Sequence, residues 1–192
     1  AFTTSAVGSK RSFCTGARPG SQSDVVIVGG GIMGLNIAYQ LRRRDPSLSV
    51  TILERAAALG NGSSGYSTGF QRAYYSFDET MQFALDGIEA YKNWNDYLQD
   101  SSAHAKFTET GALWMLGYDQ KQNDEMQARL TKFGVASDVL DAAGLAAKYP
   151  LMSSEPYPTF NEEGDLVEVD HGKFSAVFEH GCGHIDSSTC LE

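Results

Sequence analysis

The spacing of hydrophobic positions changes twice between residues 24 and 54, and this predicts a strand, a helix and a second strand. Residues 24–28 end in a short β-branched run bounded by glycine, which is typical of a buried parallel strand. Residues 35–44 carry apolar side chains at helical spacing and end in three arginines. Residues 50–54 form a second β-branched run that closes on an acid. Together these pieces predict a βαβ unit of about 30 residues.

A glycine motif joins the first predicted strand to the helix. Gly29, Gly31 and Gly34 fit G-x-G-x-x-G, which would give a sharp turn, close approach to a pyrophosphate, and close packing of helix on strands. The helix N-terminus would offer unpaired N–H groups to that pyrophosphate. Glu54 stands about 20 positions later, where a carboxylate can accept hydrogen bonds from an adenosine ribose. We therefore expect dinucleotide binding; a β-turn-α unit of some other α/β fold is the alternative.

The pattern beyond Glu54 predicts a loop followed by a mixed set of elements. Residues 56–70 are rich in Gly and Ser and are placed to run along a cofactor, with a plain surface linker as the alternative. The later predictions are helices over 78–99, 119–133 and 141–149, a hairpin or bulged strand over 107–116, strands over 137–140 and 174–178, a loop over 150–165, and a helix N-capped by Asp186.

The charge of the chain argues against two classes of partner. The chain carries a net charge of −9, although residues 1–23 contain Lys10, Arg11 and Arg18 and no acid. The remainder is therefore strongly acidic, which argues against nucleic acid or an anionic lipid surface as a partner. No apolar run approaches the length of a membrane span, so we expect none.

Residues 1–23 differ in composition from the rest of the chain. They are basic and rich in Ser, Thr, Ala and Gly, which is typical of an organelle transit sequence; an ordinary flexible tail is the alternative. The segment Arg11–Cys14 resembles a mitochondrial processing site, whereas the start at Ala1-Phe2 resembles plastid transit sequences. A plastid and a mitochondrion both remain open.

The cysteines indicate a reducing compartment. Cys14, Cys182 and Cys190 do not make a disulfide framework. Residues 180–184 read His-Gly-Cys-Gly-His, with Cys190 and His171 nearby, but zinc ligands are usually more widely spaced. We expect a glycine-rich turn and no metal, with a metal site as the alternative.

Several segments follow one another in an order that is typical of one protein family. They are Asp24–Gly34, Ile52–Arg55, Gly62–Gly65, Arg72–Tyr74, Phe107–Leu113, Lys148–Pro150, and Phe174–Phe178 before Gly183–Asp186. In these segments the chain resembles the FAD-dependent amino-acid oxidase family, and within it the sarcosine oxidase and sarcosine dehydrogenase-like branch.

The resemblance implies an α/β fold: an incomplete Rossmann-like FAD-binding βαβ domain with part of a mixed α+β substrate domain. The division expected is a basic extension over 1–23, the FAD-binding unit with its flavin loop over 24–75, and a helical segment with partial substrate domain over 76–192. Family members are nearly twice as long. Only two parallel strands are visible in the nucleotide unit, and such a sheet needs cover on both faces. We therefore expect a protein partner or a missing C-terminal half to cover it.

The resemblance also implies site residues and FAD as the cofactor. Arg72 looks like the arginine that pairs with the substrate carboxylate, since a guanidinium can hold a carboxylate bidentately. The family arginine three residues earlier is Gly69 here. Ser63 and Ser64 replace the residues that would bond the flavin covalently, so no such bond is expected from this loop. The cofactor-binding residues implied are Gly29, Gly31, Ile32, Met33, Gly34, Glu54, Arg55, Ser63, Ser64 and Thr68.

Three functions follow from these residues. The first is an FAD-dependent oxidoreductase that oxidises a C–N bond of a small amino acid, with the flavin taking the hydride. The second is a catalytically inactive, truncated family member that serves as a subunit of an organelle complex, which the loss of arginine at Gly69 favours. The third is an NAD(P) enzyme, since Glu54 suits NAD as well as FAD.

Overall fold

A computed structural model describes residues 3–6, 22–115, 120–153, 155, 158–168 and 174–191. The elements are, in chain order, β1 (Thr3–Ala6), β2 (Val25–Val28), α1 (Ile32–Arg44), β3 (Val50–Glu54), β4 (Phe70–Gln71), α2 (Asp78–Lys92), α3 (Trp94–Leu98), β5 (Thr108–Glu109), β6 (Ala112–Trp114), α4 (Gln120–Lys132), β7 (Ser137–Leu140), α5 (Ala142–Lys148), β8 (Thr159–Phe160), β9 (Leu166–Val167), β10 (Ala176–Glu179) and β11 (Gly183–His184).

The βαβ unit is present as predicted, within a three-stranded parallel sheet of order β1-β3-β2. The helix α1 packs on one face of this sheet around Ala38, Val50 and Ile52, all buried. The expectation of two parallel strands was wrong, because β1 pairs with the free edge of β3 and satisfies the backbone groups there.

The opposite face of the parallel sheet is partly open. Side chains alternate along a strand, so Val25 and Ile27 pack with the α1 core while Val26 and Val28 point away from it. Val26 is 54% exposed and Val28 is 85% exposed. This part of the face therefore lies in solvent.

Antiparallel strands form the second region of the chain. The sheet β6-β10-β7 packs against α2 and α4 through a core that contains Met81, Met126, Leu130 and Val177. In a smaller sheet of order β4-β11-β5, the central strand β11 pairs with β4, which precedes α2, and with β5, which precedes β6. The mixed α/β class predicted from the sequence is confirmed.

Four predicted elements differ from those in the structure. The helix expected over 78–99 is broken into α2 and α3 at Asn93, whose side-chain amide donates to the Glu89 carbonyl and carboxylate. The described part of the segment expected as a hairpin or bulged strand over 107–116, residues 107–115, does not form a hairpin, since β5 pairs with β11 and β6 pairs with β10. The loop expected over 150–165 contains β8, which pairs with β9. The strand expected over 174–178 runs instead from Ala176 to Glu179.

Other predictions hold or fall outside the described residues. Asp186 acts as a cap as predicted, since its Oδ1 accepts from the backbone N–H groups of Ser188 and Thr189, but residues 187–191 form turns rather than a helix. The helix expected over 119–133 is α4, and residue 119 is not among those described. Residues 1–2, Arg11–Cys14 and His171 also lie outside the described residues. Among the helices described, none is both long and apolar enough to cross a bilayer.

Candidate functional site

The turn from β2 into α1 is as tight as the glycine motif predicts. The backbone N–H of Gly29 donates to the Leu53 carbonyl at 2.8 Å, which ties the end of β2 to β3. A Cβ added to Gly34 would stand 2.1 Å from the Gly29 carbonyl oxygen. Only glycine therefore allows α1 to begin this close to the strand end.

The Gly/Ser-rich loop folds over this turn and supplies an oxygen at the N-terminus of α1. The backbone N–H of Gly60 donates to the Gly30 carbonyl at 3.0 Å. The backbone N–H of Ile32 donates to Ser64 Oγ, also at 3.0 Å. An N–H group at the helix N-terminus thus already faces an oxygen acceptor, and a pyrophosphate oxygen would have the same chemistry.

Glu54 is held at the end of β3 by two backbone donors. Its Oε2 accepts from the N–H of Gly30 at 2.7 Å, and its Oε1 accepts from the N–H of Ala56 at 2.8 Å. These bonds, first that from Ala56 and then that from Gly30, lower the pKa of Glu54, and the nearby Arg55 charge adds to the effect. Each oxygen has a second lone pair, so the carboxylate can still accept ribose hydroxyls.

The structure brings some of the predicted cofactor residues together and leaves others apart. Glu54 and Ser64 both contact the glycine turn. Met33 is 73% exposed. The side chains of Arg55, Ser63 and Thr68 are exposed.

Gly69 has a structural reason to be glycine. Its φ is +67°, and an added Cβ would stand 2.3 Å from the Ile185 carbonyl oxygen. Its own carbonyl accepts from the N–H of Ile185 at 3.0 Å. The backbone here therefore leaves no room for the arginine that the resemblance would place at this position.

Arg72 lies against two aromatic rings. Its guanidinium carbon is 4.6 Å from the centre of the Tyr75 ring and 4.8 Å from the centre of the Trp114 ring. Across the described residues, the Arg72 guanidinium makes no hydrogen bond and no ion pair. The two rings therefore hold the guanidinium in place, and its five N–H donors remain available to an anion.

A buried acid beside Arg72 was missed by sequence reasoning. Glu179 is fully buried at the end of β10, where the predicted strand had stopped one residue short. Its Oε1 accepts from the N–H of Ala73 at 2.6 Å, and its Oε2 accepts from Trp114 Nε1 at 2.8 Å. An acid that directly follows the predicted strand over 174–178 was the available signal.

The cysteine- and histidine-containing turn has no metal-site geometry in the described part of the chain. No group of three or more His, Cys, Asp or Glu side chains is arranged there to hold a metal. Burial raises the pKa of Cys182 to about 12 and the pKa of Cys190 to about 11. Both thiols are thus protonated at neutral pH.

Comparison with known proteins identifies the family. Residues 24–191 match the family model described as DAO, FAD dependent oxidoreductase. The chain belongs to this family. Its members depend on FAD, so the predicted FAD is confirmed and is favoured over the nicotinamide alternative.

Individual DAO-family relatives are similar over limited lengths. The chain is 29% identical over 152 residues to FAD-dependent oxidoreductase domain-containing protein 1 of Bos taurus, covering 76% of this chain and 30% of that protein. It is 46% identical over 66 residues to mitochondrial L-2-hydroxyglutarate dehydrogenase of Homo sapiens, covering 33% of this chain and 14% of that protein.

Solved structures show the same fold. L-amino acid deaminase from Proteus myxofaciens, in complex with anthranilate, matches with a TM-score of 0.62 and 25% identity, covering 92% of this chain and 36% of that chain. L-proline dehydrogenase from P. horikoshii also matches with a TM-score of 0.62, at 21% identity, covering 88% of this chain and 40% of that chain. The chain thus spans about a third of the length of the curated relatives that match most of it.

Proposed function

We propose that the protein oxidises the C–N bond of a small amino acid, as in the sarcosine oxidase branch, with Arg72 holding the substrate carboxylate. The observation that carries this proposal is the Arg72 guanidinium, fixed by two rings yet without a hydrogen-bonding partner among the described residues. A substrate carboxylate would give it bidentate hydrogen bonds. That anchor would fix the neighbouring carbon for oxidation.

The FAD would be held at the other predicted residues. When bound, FAD supplies a ring that accepts a hydride. The backbone of the turn, with Ser64, would hold the pyrophosphate, and Glu54 the adenosine ribose. The full set proposed is Gly29, Gly31, Ile32, Met33, Gly34, Glu54, Arg55, Ser63, Ser64 and Thr68.

A 2-hydroxy acid is a second candidate substrate. The similarity to mitochondrial L-2-hydroxyglutarate dehydrogenase favours it, since that segment is 46% identical. Such a substrate also carries a carboxylate on the carbon that is oxidised, so Arg72 would have the same role. The bond oxidised would then be C–O rather than C–N.

An inactive subunit of an organelle complex remains the competing proposal. The close packing of Gly69 excludes one family arginine, and the exposed Val26 and Val28 would be covered by further polypeptide, either the rest of a longer chain or a partner protein. The relatives named mitochondrial favour a mitochondrion over a plastid for either function.

We also propose that the division into 1–23, 24–75 and 76–192 describes the domains.

Steady-state kinetics test these proposals. The purified protein is assayed with sarcosine, L-proline and L-2-hydroxyglutarate, in wild type, Arg72→Ala, Arg72→Lys and the exposed control Arg43→Ala. Arg72→Ala should raise KM about 10- to 100-fold, the scale of a lost hydrogen bond to a charged group. Arg72→Lys should raise KM less, and Arg43→Ala should leave it unchanged.

Three results would each decide against one part of the proposal. Unchanged KM in Arg72→Ala would place Arg72 outside the site. Bound flavin without turnover of any acid in the set would support the inactive subunit. Turnover of the hydroxy acid alone would support the second candidate.

A further inference from the structure

We propose that Glu179 is a positioning residue that fixes the Arg72 guanidinium for carboxylate binding. The inference rests on the proposed function of Arg72. It concerns a residue at the end of the central strand β10, in the sheet β6-β10-β7. Glu179 acts through two neighbours, the backbone at residue 73 and the indole of Trp114.

The first neighbour fixes the chain beside Arg72. Glu179 Oε1 accepts from the Ala73 N–H at 2.6 Å, and Ala73 is itself buried. The hydrogen bond crosses 106 residues of sequence, so it ties the segment after β4 directly to β10. The position from which the Arg72 side chain begins is thereby set.

The second neighbour fixes the surface on which the guanidinium lies. Glu179 Oε2 accepts from Trp114 Nε1 at 2.8 Å, which sets the plane of the indole. The Arg72 guanidinium carbon lies 4.8 Å from the centre of that ring, while Tyr74 packs against the ring edge-on at 5.4 Å. Rotation of the indole would therefore move the surface under Arg72.

The burial of Glu179 is hard to explain by packing alone. A buried carboxyl group is costly unless hydrogen bonds satisfy it. The two hydrogen bonds that its carboxylate oxygens accept come from groups that adjoin Arg72. The Glu179 carboxylate thus fixes both the backbone next to Arg72 and the Trp114 ring on which its guanidinium lies. This orients the five N–H donors that a substrate carboxylate would contact.

The test compares two ligands of the same shape, benzoate and benzamide, of which only benzoate carries a charge. Calorimetric titration of the FAD-loaded protein gives Kd for each ligand in wild type, Arg72→Ala, Glu179→Gln, Trp114→Phe and the Glu179→Gln/Trp114→Phe double variant. Glu163→Gln, at an exposed position, is the control. Glu179→Gln should weaken benzoate binding about tenfold, which corresponds to about 1.4 kcal/mol, and should leave benzamide binding unchanged.

Coupling to Trp114 separates positioning from general destabilisation. Trp114→Phe keeps a ring but removes the N–H donor, so adding Glu179→Gln to it should weaken benzoate binding less than Glu179→Gln does in wild type. In a Trp94→Phe background the emission of Trp114 is observed alone, because the chain has 2 tryptophans. Its maximum should shift in Glu179→Gln and not in Glu163→Gln.

The outcomes distinguish this inference from the function on which it rests. Benzoate affinity that is unchanged in Arg72→Ala would remove the proposed role of Arg72. Loss in Arg72→Ala with unchanged affinity and emission in Glu179→Gln would overturn the positioning role alone. Equal weakening of benzoate and benzamide would show a merely structural role and would also overturn it.

Discussion

Replacing Glu54 with glutamine tests the feature on which the proposed cofactor site depends. The wild-type carboxylate accepts two backbone N–H groups, at 2.7 Å from Gly30 and 2.8 Å from Ala56. A glutamine side chain has one acceptor oxygen, so its NH₂ group would face the other backbone N–H. One charge-assisted hydrogen bond is lost in Glu54→Gln, and a donor is placed against a donor.

The expected loss of stability in Glu54→Gln follows from this one lost hydrogen bond. A hydrogen bond to a charged group contributes about 1.5–3 kcal/mol, and partial exposure of Glu54 reduces this to about 1–2 kcal/mol. For a chain of this length, 1 kcal/mol changes Tm by about 2–4 °C. Glu54→Gln should therefore lower Tm of the FAD-free protein by roughly 2–8 °C. FAD binding should weaken by about 1–3 kcal/mol as well, since the ribose loses a charged acceptor.

The pH dependence gives a sharper check. The pKa of Glu54 in the folded protein lies below its ordinary value of 4.5, so its stabilisation is present above that value and is lost as pH falls through the folded pKa. Glutamine has no such contribution to lose. The Tm difference between wild type and Glu54→Gln should therefore close at acid pH.

Thermal melts across this range, with flavin titration at neutral pH, measure both effects. Glu163→Gln, which removes the same charge at an exposed position, should match wild type throughout. A Tm difference that stays constant from neutral pH to well below 4.5 would refute the reasoning from the two backbone hydrogen bonds.

Two further predictions concern glycine and cysteine positions. Gly69→Ala and Gly134→Ala both place a side chain at a φ near +70°, but of the two only the Cβ at Gly69 would meet an atom within 4 Å. In urea melts, Gly69→Ala should therefore lower the free energy of unfolding by at least about 1 kcal/mol more than Gly134→Ala does. Equal losses would refute the contact argument. Cys182 and Cys190, with pKa values raised to about 12 and about 11, should react with a thiol reagent at neutral pH only after denaturant is added. The measurement uses a Cys14→Ser variant, because Cys14 is a third thiol, and rapid labelling of that native variant would contradict the prediction.

Local sequence determined the βαβ unit and the position of the acid at the end of its second strand. The period of apolar residues specifies strand, helix and strand, and the glycine spacing specifies the turn between them. Glu54 is the last residue of its strand, so its location at the strand end required no long-range information. The acid at Asp186 was likewise recognised as a cap from its own neighbours.

Tertiary structure alone decided the surroundings of Arg72. The hydrogen bonds of Glu179 reach across 106 residues to Ala73 and 65 residues to Trp114, and no periodicity relates positions so far apart. The strands that pair with β5 and β6 could not be predicted from the sequence either, since these two neighbouring strands belong to different sheets. Pattern reports which face of an element is apolar, whereas packing decides which distant element covers that face. For that reason the sequence could name Arg72, but only the folded chain could show the rings and the buried acid that hold it.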